Sequence, residues 1–308
     1  MAENQNIVRQ DMRRIVNQEI VGLNISPEKC VEWVRDAFML KSECQLPAKM
    51  SVHPSGNDFF TTMPCLLPAA YRRFGVKVVS RIVSRKPALR SDLMLFDAES
   101  GELLALVDAD WITAMRTGAV AASAIKSLRV STARCYAFIG LGSTARATLR
   151  CLLAICRNEV LDIRLLRYKE QAERFAEEFG WEAGVRITIV DTAEELVSGA
   201  DVVVSCITDA QGLIVEDERL FKAGVLVVPV HTRGFQNCDT TFDKVYADDA
   251  DHIRSFKYFD RFREFHQFEE VLKGATPGRE SDTERILSYN IGLGLHDVLY
   301  ASRIYDML

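Results

Sequence analysis

The sequence lacks the patterns that mark metal proteins, disulfide-bonded proteins and membrane proteins. Its eight cysteines include no Cys-x-x-Cys pair and its five histidines lack the spacing of metal ligands, so neither a metal site nor a disulfide framework is expected. No apolar run approaches the ~20 residues that a membrane-spanning helix requires. The segment Met1 to Gln5 is polar and lacks the apolar core of a signal peptide. We therefore expect a cytoplasmic protein with no membrane partner.

The sequence also lacks an excess of positive charge. Its 308 residues include 38 Lys and Arg against 43 Asp and Glu, which gives a formal net charge of −5. A nucleic-acid partner would favour a concentrated basic face, so none is expected. With 48% hydrophobic and 26% charged residues, the composition is that of a globular protein. The length favours two domains.

The first ~115 residues show no alternation of strands and helices. Residues 7–40 are predicted to be helical, with a new start at Ser26 and Pro27, because serine is a good N-cap and proline suits the first helical position. Short β-rich runs and a turn then precede a helix that is predicted for residues 113–128. The β-rich runs are residues 74–82, 92–96 and 103–107, and the turn is 97–102. This part indicates an α+β domain, and residues 284–308 are predicted to form an amphipathic helix.

The middle of the chain alternates between the two kinds of element. Strands are predicted at 134–139, 162–166, 187–190, 201–206 and 225–230, and helices at 143–156, 169–179 and from Thr192. Several of the strands are continuous β-branched runs, which are typical of a parallel sheet that is buried on both faces. The sequence therefore predicts a doubly wound α/β domain of the Rossmann type.

A glycine-rich turn lies between the first of these strands and its helix. It reads Gly140-Leu141-Gly142-Ser143-Thr144-Ala145, in the strand–turn–helix context of a dinucleotide fingerprint. Gly140 would permit the tight turn, Gly142 would let the backbone approach a pyrophosphate, and Ala145 would allow close packing of helix and strand. Free N–H groups and the helix dipole would hold the phosphates. The alternative is a structural turn with no ligand.

The end of the second strand bears on the choice of cofactor. An acid at this position would bind the ribose 2′-hydroxyl of NAD, but the sequence has Arg167 and Lys169 and no acid. These cations could meet a 2′-phosphate, so NAD(P) is the expected cofactor, with NADP(H) slightly favoured. The alternative is that both are solvated residues at the start of a helix.

Two cations in apolar surroundings are candidates for binding an anion. Arg116 lies in an Ala-rich helix start, where a buried arginine requires an anionic partner. A bidentate contact with a substrate carboxylate would satisfy it, and a structural ion pair is the alternative. Lys77 lies in an apolar strand, where an edge-strand lysine that points to water is the alternative.

Two further polar residues follow the strand at 225–230. Because ligands bind at the carboxyl ends of such strands, His231 and Asp239 are candidate acid–base groups. A capping or hydrogen-bonded loop role is the alternative for each.

These residues together resemble the ornithine cyclodeaminase/μ-crystallin family over most of the chain. The specific combination is the Thr-x-x-Arg-Thr-x-Ala block at 113–119, followed about twenty residues later by the glycine turn. The other matching segments are Met63-Pro64, Gly75-Val76-Lys77, Ser205-Cys206-Ile207-Thr208, the run from Gly224 to His231, and Asn290-Ile291-Gly292 with Asp297.

The resemblance implies a homodimer and a set of roles for individual residues. It implies a substrate-binding and dimerisation domain of residues 1–116 and 285–308, with a Rossmann domain of residues 117–284 inserted. Catalysis is expected from Asp239 and Lys77, and substrate binding from Lys49, Lys77 and Arg116. Cofactor binding is expected from Thr117, Gly140, Gly142, Ser143, Thr144, Ala145, Arg167, Thr208, His231, Asn290 and Gly292.

Two departures from the family pattern bear on the reaction. Lys49 stands where the family commonly has arginine, and the loop from His231 to Asp239 is one residue longer than usual. The resemblance implies NAD(P)-dependent hydride transfer at the α-carbon of a small amino or imino acid. The reaction could be that of an ornithine cyclodeaminase, an imine reductase or an amino-acid dehydrogenase. The alternative of a different class is a non-catalytic, NADPH-dependent binding protein like μ-crystallin.

Overall fold

The computed structural model describes residues 12–208 and 210–308. The chain forms two compact units. The first comprises Met1–Ile25, described from residue 12, with Leu40–Thr113 and Leu293–Leu308, and the second comprises Ser26–Met39 and Ala114–Gly292. The helices are α1 (Asn17–Gly22), α2 (Pro27–Leu40), α3 (Asp110–Leu128), α4 (Ser143–Ile155), α5 (Gln171–Phe179), α6 (Ala193–Val197), α7 (Phe268–Leu272) and α8 (Gly294–Met307).

The first unit contains a six-stranded sheet in the order β1-β6-β5-β4-β3-β2. Its strands are β1 (Arg13–Ile15), β2 (Met50–Val52), β3 (Phe59–Leu66), β4 (Arg73–Arg81), β5 (Leu89–Asp97) and β6 (Leu103–Asp108). All pairs are antiparallel except β1 with β6, which is parallel. One face is covered by α8, which contacts β3, β4 and β5. Because side chains alternate between the faces, Leu93 and Leu95 are buried whereas Met94 is exposed.

The second unit contains an eight-stranded sheet in which every pair is parallel. The order is β13-β12-β14-β11-β10-β7-β8-β9. The strands are β7 (Cys135–Ile139), β8 (Leu161–Leu166), β9 (Val185–Val190), β10 (Val202–Ser205), β11 (Leu226–Pro229), β12 (Lys244–Ala247), β13 (Phe265–Gln267) and β14 (Ile286–Tyr289). From β9 through β7 to β11 the order is that of a Rossmann sheet, with its reversal between β7 and β10.

The predicted fold class is confirmed, and so are most elements of the second unit. Ser26 accepts a hydrogen bond from Lys29 N at 3.2 Å before α2. Thr192 accepts one from Glu195 N at 3.1 Å before α6. Both are the N-caps that helix-start chemistry predicts. None of the described helices combines the length and apolarity needed to cross a bilayer.

Two predicted helices are wrong in part. Residues 13–15 form β1, in which Ile15 is fully buried and pairs with Val107; residues 7–11 of that prediction lie outside the described chain. Residues 286–289 form β14, whose four residues are all buried between β11 and β12. In both cases pairing in a sheet outweighs a helical pattern of apolar residues, because short apolar runs suit either element.

Candidate active site

The glycine turn joins β7 to α4 at the reversal of strand order. Gly140 has φ +77°, and a Cβ there would lie 2.6 Å from Ile207 N, just beyond β10. At Gly142, by contrast, no atom of the other described residues, chain neighbours aside, lies within 4 Å of where a Cβ would stand. Ala145 is fully buried on α4. The backbone is therefore open at Gly142 and close-packed on either side of it, which fits a turn whose N–H groups face a phosphate.

Most of the predicted cofactor residues follow strands of the eight-stranded sheet. The turn follows β7, and Arg167, Thr208, His231 and Asn290 come after β8, β10, β11 and β14. Because these strands are parallel, the residues share the carboxyl edge of the sheet, where ligands bind in doubly wound folds. Ser143 and Thr144 begin α4 at the same edge.

Helix α3 carries Arg116 and Thr117 and packs closely on α4. A Cβ on Gly118 would lie 2.5 Å from the backbone of Ala147, so glycine is required for this approach of the two helices. Arg116 is 5% exposed. Gly292 has φ +83°, and a methyl group there would overlap the Arg116 guanidinium. Gly292, three residues after the end of β14, thus lies against the guanidinium of Arg116.

A buried carboxylate fixes the backbone at Gly292. Asp248, which follows β12, is fully buried and accepts hydrogen bonds from Gly292 N at 2.7 Å and from Asn290 Nδ2 at 3.1 Å. Asn290 Oδ1 is also buried and has no hydrogen-bond partner within the described residues. The loop from Asn290 to Gly292 therefore keeps one acceptor available and a fixed contact with Arg116.

His231 is a neutral hydrogen-bonding group. Its Nε2 lies 2.7 Å from Ser205 Oγ, and Nδ1 accepts a hydrogen bond from Arg233 N at 3.4 Å. A neutral ring that accepts at Nδ1 carries its proton on Nε2. Burial lowers the pKa of His231 to about 4, so the ring stays uncharged near neutral pH. Its position suits contact with a ligand, and its acidity does not suit an acid that works near pH 7.

Asp239 is a buried carboxyl group with a hydroxyl partner. It is 1% exposed, and Tyr289 donates a hydrogen bond of 2.7 Å to its Oδ1. Burial raises the pKa of Asp239 to about 6, and the hydrogen bond from Tyr289 opposes that rise. A carboxyl group of this acidity can both accept and donate a proton near neutral pH.

Lys77 belongs to the first unit, on the central strand β4. It is fully buried, and its Nζ lies 2.7 Å from Asp297 Oδ1 on α8, which is equally buried. The alternative of an edge-strand lysine that points to water is therefore wrong. Lys49, half-buried, precedes β2 in the same unit.

Arg167 is engaged by two acids. Its Nε lies 2.7 Å from Asp191 Oδ1, and its Nη1 contacts Glu173. Lys169 has φ +51° and lies over the ring of Tyr168, with Nζ 5.2 Å from the ring centre. Both cations lie just after β8, and a 2′-phosphate at Arg167 would compete with Asp191 and Glu173.

Comparison with known proteins shows the family to which the chain belongs. The model of the ornithine cyclodeaminase/mu-crystallin family matches residues 11–308. The chain belongs to this family. It is 30% identical to the nodulation efficiency protein NfeD of Rhizobium meliloti over 272 residues, which cover 85% of this chain and 83% of that one. It is 26% identical to a delta(1)-pyrroline-2-carboxylate reductase of Bacillus cereus, over 75% of this chain and 76% of the relative.

A solved structure shares the fold of this chain. It is the delta(1)-pyrroline-2-carboxylate reductase of Thermococcus litoralis in complex with NADH and L-proline. The likeness has a TM-score of 0.83 with 23% identity, and it covers 96% of this chain and 97% of that chain.

Sequence reasoning missed several residues that contact the candidate site residues. Tyr289, Asp248 and Ser205 were not singled out for the contacts described above. Asp248 carried a usable signal, since two acids follow the apolar run at 245–247 and the strand β12 went unrecognised. Tyr289 carries no such signal, because the pattern of apolar residues around it predicts a helix. Among the described residues, no three His, Cys, Asp or Glu side chains group as metal ligands.

Proposed function

We propose that this protein is an NAD(P)-dependent enzyme that moves a hydride to or from the α-carbon of a small amino or imino acid. The observation that carries the proposal is the turn at Gly140–Ala145, open at Gly142 and placed where the strand order reverses. Membership of the family supports it, and so do the two reductases named above. When bound, NAD(P) supplies or accepts the hydride.

The residues at the carboxyl edge of the eight-stranded sheet fit the cofactor. The N–H groups of Ser143 and Thr144 would hold the phosphates at the start of α4. Asn290 Oδ1 is a buried acceptor that a bound cofactor could satisfy, and His231 offers a neutral ring. Thr117 and Thr208 complete the proposed set. NADP(H) is slightly favoured over NAD(H), since Arg167, Tyr168 and Lys169 directly follow β8 where an acid would bind the ribose of NAD. The expected margin is small because Arg167 already has two acidic partners.

Arg116 is the proposed anchor of the substrate carboxylate. A guanidinium can bind a carboxylate through two parallel hydrogen bonds, and Gly292 restricts the positions that this guanidinium can take. Fixing the carboxylate orients the α-carbon, and orientation can remove several kcal/mol from a barrier. Lys77 and Lys49 are the other proposed cationic groups.

Asp239 is the proposed proton carrier. Reduction of an imine adds a hydride to carbon and a proton to nitrogen, and oxidation of an amine reverses both transfers. A carboxyl group with a pKa of about 6 can serve in either direction, for a contribution of roughly 10²–10⁴ in rate.

The test of the proposed function is a substrate screen that follows nicotinamide absorbance. Cyclic imino acids, alanine and ornithine would each be offered with NAD(H) and NADP(H). Arg116→Ala should lose substrate binding and turnover while its cofactor affinity stays unchanged, and Arg116→Lys should recover little because the planar two-pronged contact is lost. Arg174→Ala, an exposed arginine on α5, is the control. Turnover by Arg116→Ala equal to that of the parent would refute the anchor role.

The same screen separates the possible reactions. A cyclodeaminase would convert ornithine to proline and ammonia with no net change in cofactor, whereas a reductase would consume one NAD(P)H per imine. Binding of both ligands with no turnover of any substrate would instead indicate the non-catalytic alternative.

We propose that the protein is a homodimer that forms through the face of the six-stranded sheet opposite α8. Opposite α8, this face carries exposed Met94 and Leu106, which are paired in register, and exposed Phe60. Exposed apolar side chains that cluster on one face are a common feature of protein–protein interfaces, and this supports the proposal. The double variant Met94→Glu/Leu106→Glu should sediment as a monomer at micromolar concentration, whereas Val83→Glu, in an exposed turn, should leave the dimer intact. A monomeric parent protein would contradict the proposal.

A further inference from the structure

The contact between Tyr289 and Asp239 joins two elements of the second unit. Tyr289 is the last residue of β14, and Asp239 lies in the loop that follows β11. Both side chains are 1% exposed. The ring of Phe256 packs edge-on against Tyr289, with centroids 5.1 Å apart and an interplanar angle of 86°. The position of β14 and the packing of Phe256 together therefore fix the Tyr289 hydroxyl that donates to Asp239.

We propose that Tyr289 is a positioning residue that orients the Asp239 carboxyl group and leaves Oδ2 as the oxygen that exchanges the proton with substrate nitrogen. The proposal rests on the proposed function. Because the hydroxyl donates to Oδ1, a proton on the carboxyl group belongs on Oδ2. The step is balanced: in reduction the Oδ2–H bond breaks as the N–H bond forms and NAD(P)H supplies the hydride, and in oxidation the same bonds form and break in reverse.

The hydrogen bond also adjusts the acidity of Asp239. A donor to a carboxylate favours its ionised form, and Tyr289 lowers the pKa of Asp239 against the effect of burial. Burial and the nearby Asp239 charge raise the pKa of Tyr289 well above its usual value, so the hydroxyl remains a donor over the working range of pH.

The titratable neighbours of Asp239 are few among the described residues. Cys238, adjacent in the loop, has a thiol whose pKa is raised by burial and by the Asp239 charge, so it stays neutral. Glu218 and Arg285 act on Cys238 and oppose each other. Tyr289 is the neighbour on β14. The group that changes charge in this cluster near neutral pH is therefore Asp239.

The test compares Tyr289→Phe with a matched control, Tyr246→Phe. Tyr246 is also a fully buried tyrosine of the same sheet, and its hydroxyl donates to Gly278 O at 2.9 Å. Both variants lose one buried hydrogen bond, but only Tyr289→Phe loses one to Asp239. The limb of the kcat/KM profile that reports Asp239 is the alkaline limb in reduction, where the carboxyl group must hold its proton, and the acid limb in oxidation, where it must have lost it. We expect this limb to move to higher pH in Tyr289→Phe by at least about half a pH unit, roughly threefold in proton affinity, and to stay in place in Tyr246→Phe.

A second measurement does not depend on activity. The infrared absorption of the protonated carboxyl group, assigned by its loss in Asp239→Asn, should persist to higher pH in Tyr289→Phe. Fluorotyrosine at position 289 is a stronger donor that preserves the shape, so it should move the transition to lower pH even if Tyr289→Phe fails to fold.

The outcomes separate this proposal from the proposed function. If the carboxyl transition in Tyr289→Phe, or in the fluorotyrosine protein, coincides with that of the parent, the positioning role of Tyr289 is wrong. If the transition moves as expected but Asp239→Asn keeps full turnover, the effect of Tyr289 on the carboxyl group stands. Asp239 is then not the proton carrier, and the proposed exchange at Oδ2 is overturned.

Discussion

The two sheets of this protein hold their buried polar groups in different ways. In the six-stranded sheet, Lys77 lies in the middle of a central strand and is matched by the opposite charge of Asp297. At the carboxyl edge of the eight-stranded sheet, Asp239 is held by Tyr289 and His231 by Ser205, which are neutral partners. An opposite charge fixes the charge of a buried group, whereas a neutral partner leaves its protonation open to change. The first arrangement suits a permanent cation, and the second suits proton transfer and ligand contact.

The largest effect is expected from a substitution that blocks the glycine turn between β7 and α4, where we expect the cofactor to bind. Gly142→Val would place a branched side chain where phosphate oxygens must approach the backbone, so binding of NAD(H) and NADP(H) in titration calorimetry should be abolished. Gly22→Val is the matched control, since its Cβ position likewise has no neighbour within 4 Å among the other described residues, chain neighbours aside. A folded Gly142→Val protein with unchanged cofactor affinity would show that the turn is structural only.

Breaking the buried ion pair should cost stability in the other sheet. Lys77→Met leaves the Asp297 carboxylate buried without this ammonium, and loss of one partner of a buried pair costs roughly 3–5 kcal/mol. The free energy of unfolding would be measured in denaturant. The double variant Lys77→Met/Asp297→Leu should be more stable than Lys77→Met, because both charges are gone. A double variant that loses the sum of the two single losses would contradict a direct pairing.

The two buried groups of the eight-stranded sheet should give opposite dependences of stability on pH. In the folded state Asp239 binds its proton more tightly than in the unfolded state, because its pKa rises from 3.8 to about 6. Its contribution to stability is therefore lost as the pH rises from about 4 to 6. His231 binds its proton less tightly when folded, because its pKa falls from 6.5 to about 4, so its contribution grows as the pH rises from about 4 to 6.5. Each shift of about two pKa units corresponds to ~3 kcal/mol.

Single variants should separate these opposed contributions. In Asp239→Asn, the free energy of unfolding should rise with pH between 4 and 6.5 more steeply than in the parent. In His231→Gln it should fall over the same range relative to the parent. Equal slopes in all three proteins would mean that neither group has the protonation behaviour described here.

The smallest effect is expected at the exposed cations after β8. Arg167→Ala should weaken NADP(H) binding by less than about tenfold and leave NAD(H) binding unchanged, because exposed ion pairs are weak and Glu173 and Asp191 already engage this arginine. Arg174→Ala should change neither affinity. Tighter binding of NAD(H) than NADP(H) by the parent would refute the proposed preference.

The difference between the sheets also explains what the sequence could predict. Parallel strands such as Val202–Ser205 are continuous β-branched runs, and the glycine turn has a fixed relation to β7, so this region was recognisable. The pattern of apolar residues at 284–308 predicts a helix and conceals the strand β14, because the pairing of β14 with β11 and β12 depends on residues far away in sequence. Tyr289 was missed with it. The alternating strands β4, β5 and β6 of the first sheet are recognisable in the sequence, but β1 is not, since three residues carry too little pattern.

Contacts between side chains were the least predictable part of the candidate site. The apolar sequence around Lys77 and Arg116 indicates buried cations. Neither the ion pair of Lys77 with Asp297 nor the contact of Arg116 with Gly292 follows from spacing along the chain. Asp248 acts through Asn290 and Gly292, forty and more residues away. The proposed domain limits, with a Rossmann domain of residues 117–284, remain a prediction.

The transfer of labelled hydride tests the central claim most directly. The protein would be given pyrroline-2-carboxylate, or another imino acid that the substrate screen identifies, with NADH or NADPH that carries deuterium at the transferred position. The account predicts a product with one deuterium at the α-carbon, in a single configuration, and one oxidised cofactor per product. Deuterium at any other carbon, or oxidised cofactor with no label in the product, would contradict it.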